Sequence, residues 1–365
     1  MRERGFLSGF VLPAAAAVAV GMMIGPRRIV GNGPMNPRLR RAEENSGGSP
    51  HDSRRGRRAR SPGQLPARGW RDILWRVKDE IAQDHLSVIA AGIAFYAMLS
   101  IFPALGAALS LYGIVADPTT VERHIAGAAE ILPEAARALI TDQLAAIAQQ
   151  PRGSLGVGVI AGLLFSLWSA SAGVQTMMTA LNVVYDEVEK RSFIRFYGTA
   201  LLMTLGGIVF GILAMSLVAA LPAAIAWLGL TGGVRTAILL MRWPLLGIAV
   251  IVALAVIYRY GPSRETPRWS WVSWGAVIAT ILWLLASVLF SLYVSNFANY
   301  NKTYGALGAV IVLLMWFYVS AYVVLLGAEL NAEMEHQTAE DTTERDGQPL
   351  GERGAYVADT VGAVP

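Results

Sequence analysis

Glu329, Asn331 and Glu333 stand two residues apart at the end of the last long apolar run and are its most conspicuous chemical groups. A carboxylate at membrane depth costs ~2.5–3.5 kcal/mol or more, so it needs a partner or a task. Two readings follow. One is a cytoplasmic-side gate, or a proton or cation site, built on Glu329 and Asn331. The other is an interfacial ion pair with Arg259, Arg191 or Lys78. Asp84 and His85, just before the first long apolar run, are gate candidates on the same face. An unperturbed imidazole titrates near neutrality, which suits a pH switch; the pair could equally close a helix end.

A second set could line a substrate cavity. Trp168, Ser169 and Ser171 lie inside the second apolar run, with Gln175, Thr176, Thr179 and Asn182 further along. Such groups face a cavity or bond between helices, at ~0.6 kcal/mol each. Pro103 falls near the middle of the first run, where it must kink or break a helix unless neighbours satisfy the freed carbonyl. Tyr96 and Ser100 lie roughly on its face. Asn299, Tyr300 and Tyr304 flank Lys302 in a short loop that could recognise a headgroup or sugar, or form an ordinary interfacial belt. The pairs Gly158/Gly162 and Gly207/Gly211 read as close helix packing.

Several chemistries are excluded by inventory. Cysteine is absent. The four histidines, His51, His85, His124 and His336, are scattered, and no HxH or HExxH occurs. Metal-dependent phosphodiester cleavage needs clustered His and carboxylate ligands. No GxxxxGK[ST] loop is present to cradle ATP. The expectation is therefore no enzyme, no catalytic residue, no metal and no cofactor.

The elements that must position these groups are membrane spans. The chain is 54% hydrophobic and only 15% charged, against about 25% charged in soluble domains. Apolar runs cover about 88–115, 155–184, 197–228, 243–260, 270–296 and 305–328, with Pro222 late in the third and Pro244 early in the fourth. Each can cross a hydrocarbon core of ~30 Å. Lys and Arg divide 22 to 6 between alternate sides, counting from residue 26. The positive-inside rule then sets both ends of the six-helix core, 88–330, in the cytoplasm. The fold class is all-α: a polytopic bundle with interfacial amphipathic helices.

The flanks differ in character. Residues 70–87 carry Trp70, Ile73, Leu74, Val77, Ile81 and Leu86 at helical spacing, an interfacial helix feeding the first span. Residues 26–69 are rich in Arg, Pro, Gly and Ser, and read as a disordered basic cytoplasmic linker. Residues 331–365 read as a disordered cytoplasmic tail. Within 1–25, the apolar stretch 6–25 has three readings: an extra membrane helix or anchor, a signal peptide, or an upstream extension. The arginines that follow oppose translocation, and so a cleaved signal. In the long outer loop, Leu139, Ile140, Leu144 and Ile147 form an amphipathic stripe.

Three ordered stretches carry a resemblance. They are Ala90–Pro103 (AAGIAFYAMLSIFP), Leu167–Gly173 (LWSASAG) followed by Ala180–Asp186 (ALNVVYD), and Tyr304–Trp316 (YGALGAVIVLLMW) with Gly327–Glu333 (GAELNAE). Together they resemble the YihY/BrkB family of bacterial inner-membrane proteins, across about 70 to 335. The family once bore the label ribonuclease BN. The resemblance implies serum resistance in one branch and movement of lipids or solutes by some relatives.

The resulting expectation is a multi-pass inner (plasma) membrane protein that exports or transports a lipid or small envelope-related solute. Its cavity would be lined by the first, second and last spans. The alternative is a scaffold that organises envelope-assembly partners through the basic linker and tail. Expected partners are membrane lipids, a lipid or small-molecule substrate and further copies of the chain, without nucleic acid.

Overall fold

The computed structural model describes residues 53–115, 152–229, 231–296, 306–344 and 347–364, which belong to one compact unit, Asn45–Pro365. Helices account for its architecture, and one isolated bridge, Pro267 to Thr343, is the β pairing among the described residues. The readings of 6–25, of the outer-loop stripe at 139–147, and of Asn299, Tyr300 and Tyr304 lie outside the described residues.

In chain order the helices are α1 (Ala67–Gln83), α2 (Leu86–Val115), α3 (Arg152–Val184), α4 (Phe193–Met215), α5 (Leu221–Trp227), α6 (Gly232–Tyr260), α7 (Trp269–Asn296), α8 (Ala306–His336) and α9 (Tyr356–Asp359). The long ones, α2, α3, α4, α6, α7 and α8, correspond to the six apolar runs in order. By length and composition α4 (through Val218), α6, α7 and α8 can each cross a membrane. The pair of α1 and Leu86–Ser100, bent by 63°, makes a fifth candidate. At 1.5 Å per residue the 33-residue α3 is about 50 Å long.

Three boundaries differ from the sequence reading, each for a backbone reason. Pro103 does not break α2, which runs through it to Val115. The third run is interrupted: a π-helical turn, Ser216–Ala220, separates α4 from α5. Pro222 lies in the first turn of α5, where a missing N–H is tolerated, and π turns are a usual site of helix distortion. The fourth helix begins at Gly232, eleven residues before the expected start, so Pro244 lies inside it.

Packing follows the order α4–α3–α2–α8–α7–α6, with α8 touching α1, α2, α3, α7 and α9. The closest crossing is between α7 and α8. A Cβ at Gly275 would overlap the Gly327 carbonyl oxygen and Asn331, and one at Gly327 would meet Ala279 Cβ and Tyr258 Oη at 2.6 Å. Higher up, Trp283 donates to Ser320 Oγ at 3.1 Å and lies 5.6 Å from the Trp316 ring. The packing expected at Gly207 and Gly211 is not found: a Cβ at either would meet nothing within 4 Å. Small residues permit close approach only where a neighbouring backbone arrives.

The loops that the charge count assigned to one side meet at one end of the bundle. Lys190 N donates to Ser263 Oγ at 2.9 Å, Tyr356 N to Glu187 at 2.7 Å, and Arg191 Nη2 to the Gly261 carbonyl at 2.9 Å. The sequence reading gives 26–69 and 331–365 as disordered; among the described residues, 53–66 and much of the tail lie against the core. Leu65 and Val357 are buried in it, and buried arginines bond to backbone carbonyls. Arg57 reaches the carbonyls of Gln337 (3.2 Å) and Gly362 (2.6 Å). Arg353 reaches those of Ala339 (2.8 Å), Glu340 (3.1 Å) and Ala358 (2.7 Å). The last helix also runs eight residues past the end of its apolar run at 328, to His336.

One loop gives a testable pH dependence. Burial works against charge on Glu189, but Arg191 side-chain and backbone N–H groups and Asn182 outweigh it and hold the carboxyl below the usual range. A depressed folded-state value stabilises the fold above the unfolded value and loses that contribution as pH falls. Glu189→Gln is expected to cost roughly 1 kcal/mol at pH 7. The difference from the parent should close on titration below about pH 4.5, read as melting temperature against pH.

Candidate functional site

Two features of the basic end can do chemistry: a row of acids along the last turns of α8, and a cleft between α4 and α6.

Along α8, residues 329–335 are buried. Glu333 pairs with Arg76 on the inner face of α1, and Arg76 also donates to Gln337 at 2.7 Å and to the Ala363 carbonyl at 3.0 Å. Glu335 pairs with Arg264 at 2.6 Å, both side chains fully buried, and the guanidinium lies 4.2 Å from the Tyr185 ring centroid. Asn331 is clamped to α7, accepting from Gly275 N (2.8 Å) and donating to the Val272 carbonyl (3.1 Å). Both bonds of this gate candidate are made at the helix crossing.

Glu329 differs from its neighbours. It is 1% exposed, and its Oε2 is buried with no hydrogen-bond partner among the described residues. The ion pairs expected for it do not form. Arg259 pairs with Glu344, Arg191 with Glu189, and Lys78 is exposed. The charged groups acting on Glu329 most strongly are all acids: Glu333, Asp84, Glu80 and Asp186. Asp84 is buried at the α1–α2 joint, whereas His85 beside it is exposed, with φ +51°.

The described residues expected to line a cavity among the first, second and last spans take several different positions. The helices α2, α3 and α8 lie against one another. Tyr96 and Trp168 are exposed, and Ser169 and Ser171 are buried. Ser100 bonds back to the Ala97 carbonyl (2.8 Å), and Ser171 accepts from Gln175 (3.2 Å). Asn182 ties two loops: it donates to Glu189 (2.9 Å) and accepts from Ser263 N (2.7 Å). Pro103 stands within α2. Ser100, Ser171 and Asn182 thus bond within helices or between loops.

The cleft lies elsewhere. The helices α4 and α6, separated in the chain by the short α5, pack mainly on α3 and α7 respectively. Between them is a cavity of about 1330 Å³ with apolar walls that include Leu202, Gly206, Leu213 and Val252. Its mouth carries Lys190, Arg191, Arg195, Arg259 and Arg264. Four of these are neutralised, Lys190 by Glu187 at 2.8 Å and the others by the pairs above. Arg195 is exposed and has no ion-pair partner among the described residues. It lies in the first turn of α4, whose N-cap residue, Ser192, makes no side-chain cap. The N–H groups there are left open, which favours an anion.

In the sequence Arg195 and Arg264 read only as basic flanks that orient the spans, Arg259 reads also as an ion-pair candidate, and nothing singles out Arg76. The partners of Arg76, Arg259 and Arg264 are tens to hundreds of residues away, so no local spacing marks them. Among the described residues no three His, Asp or Glu side chains converge to hold a metal ion.

Comparison with known proteins adds a family. The family model described as Virulence factor BrkB matches residues 77–350. YfkH of Bacillus subtilis, whose name calls it ribonuclease-like, is 32% identical over 67% of this chain and 88% of its own length. A UPF0761 membrane protein of Idiomarina loihiensis is 28% identical over 50% of this chain and 61% of its own. Another, of Rhodospirillum centenum, is 27% identical over 80% and 64%. The chain thus spans less than two thirds of those two relatives. No solved structure matches it.

Proposed function

The chain belongs to the Virulence factor BrkB family of multi-pass membrane proteins, and we propose that it binds an anionic lipid-like amphiphile in the α4–α6 cleft and moves it across or out of a bacterial inner membrane. The observation that carries this reading is the pairing of an apolar cavity with a cation, Arg195, that has no ion-pair partner among the described residues. At about 1330 Å³ the cleft exceeds the ~300–1,000 Å³ of ordinary small-molecule sites. Its walls suit acyl chains, and Arg195 with the open turn of α4 suits a phosphate or carboxylate headgroup. The sequence supplies no nucleotide-binding loop, so any driving force comes from outside this chain's own ATP chemistry.

The ribonuclease-like label of YfkH is not carried over, because metal-dependent cleavage would require a ligand cluster that the described residues do not form. The scaffold alternative relied on the linker and tail as tethers. Residues 53–66 and the ordered tail are instead bonded to the chain's own core through Arg55–Asp72, Arg57 and Arg353.

The test is thermal unfolding in detergent with phosphatidylglycerol or phosphatidylcholine added. A ligand specific for the folded state stabilises it by about 2.7 kcal/mol at a hundredfold excess over its dissociation constant. The expected outcome is an upward shift for the anionic lipid that is largely lost in Arg195→Gln and in Gly207→Phe, which fills open space in the cleft. Equal shifts for both lipids, or shifts indifferent to both substitutions, would remove the reading.

A further inference from the structure

We propose that Glu329 is a proton-binding site, the carboxyl group through which this chain takes up a proton at the basic end of the bundle.

The geometry singles it out from its neighbours. Glu333 and Glu335 each have an arginine, whereas Glu329, equally buried, has an oxygen with no hydrogen-bond partner among the described residues. The charged groups that act on it most strongly are acids, and the Tyr185 phenol after α3 is also within electrostatic reach. Glu80 faces it from α1, Asp84 from the α1–α2 joint, Asp186 from the turn after α3, and Glu333 from one turn further along α8. Glu333 is itself held by Arg76 and lies 3.6 Å from His336. On the α7 side Gly275 and Ala279 pack on the neighbouring Gly327 and Asn331, and from α6 Tyr258 Oη reaches Gly327.

A carboxylate so placed has to be compensated, because a buried charge without a counter-charge is among the costliest states in a protein. The local cations are committed elsewhere. Arg76, Arg259 and Arg264 all hold other acids. A divalent ion would need several converging ligands, and no three His, Asp or Glu among the described residues supply them. One proton, bound to one carboxylate oxygen, meets the need with the groups present. Loading neutralises Glu329; unloading leaves it facing Glu80 and Asp84 across the joint where α1 and α2 bend by 63°.

This proposal is independent of the cleft reading, since it rests on α8, α1 and the joint. The experiment is infrared difference spectroscopy on the full chain in nanodiscs, between acid and alkaline buffers. The expected result is a protonated-carboxyl carbonyl band that disappears at alkaline pH, is missing in Glu329→Gln and is unchanged by sodium or potassium. Should Glu329→Gln not fold, Glu329→Asp keeps a carboxyl group in altered surroundings and should displace the band. A band unaltered by both substitutions would overturn the proposal, as would one present at every pH. A band that sodium or potassium abolishes would also overturn it, making the site one for an alkali cation.

Discussion

Arg264→Ala is expected to lower stability by about 3–5 kcal/mol, the cost of leaving a buried charge without its partner. Arg264 and Glu335 are fully buried 2.6 Å apart, and join the loop after α6 to the end of α8. Glu335 also accepts from Thr342 Oγ1 at 2.9 Å, so the same carboxylate anchors the tail. The pair is not ideal, because Arg264 Nε is buried without an acceptor among the described residues. Replacing both partners by apolar residues, Arg264→Met with Glu335→Leu, should therefore recover most of the loss, since such exchanges are often neutral or stabilising. Unfolding of the single and double variants in mixed micelles gives the comparison. If the double variant proved no better than Arg264→Ala, the cation–π contact with Tyr185 would be the larger contribution.

The second large effect is expected at the α7–α8 crossing. Gly275→Leu places a side chain where the Gly327 carbonyl and the Asn331 amide already lie. Overpacking costs typically about 1–3 kcal/mol. The displaced Asn331 would lose its bonds to Gly275 N and the Val272 carbonyl, and each buried polar group left unmade adds about 1–3 kcal/mol. The variant should be recovered poorly from membranes, or melt far below the parent. Gly207→Leu, changed identically in an apolar run, should melt close to the parent, because nothing lies within 4 Å of its missing Cβ. The contrast separates a glycine needed for backbone approach from one on an open wall.

These two sites show where sequence reasoning stops. Gly207 and Gly211 have the spacing of a packing motif and pack against nothing nearby, while Gly275 and Gly327, 52 residues apart, form the tightest contact. Spacing within one helix identifies a smooth face, but only a second helix decides whether that face is used. Glu329 and Glu333 illustrate the same limit for charge. They share a helix face one turn apart, yet Arg76 arrives at one and leaves the other. A partner 257 residues away has no local signature. The tail is a further instance, since it is held by partners far away in the sequence: Arg57 reaches the Gly362 carbonyl, and Val357 is buried in the main core.

What the sequence by itself determined is everything set by the solvent. Runs of about twenty apolar residues must become helices in lipid, because every backbone polar group has to be satisfied within its own segment. The six long helices and the gathering of the basic loops at one end follow from that and from the distribution of Lys and Arg. The acids at the end of α8 also stand out in the sequence as candidates, because carboxylates are rare beside so long an apolar run. What only the tertiary structure decided is which of them is compensated, where the cavity lies, and which glycines are essential. Hydrophobic burial is non-directional and leaves the order of neighbours open. Ion pairs, close crossings and clefts depend on that order, and it is settled only when α8 has taken α1, α2, α3 and α7 as neighbours and left α4 and α6 apart.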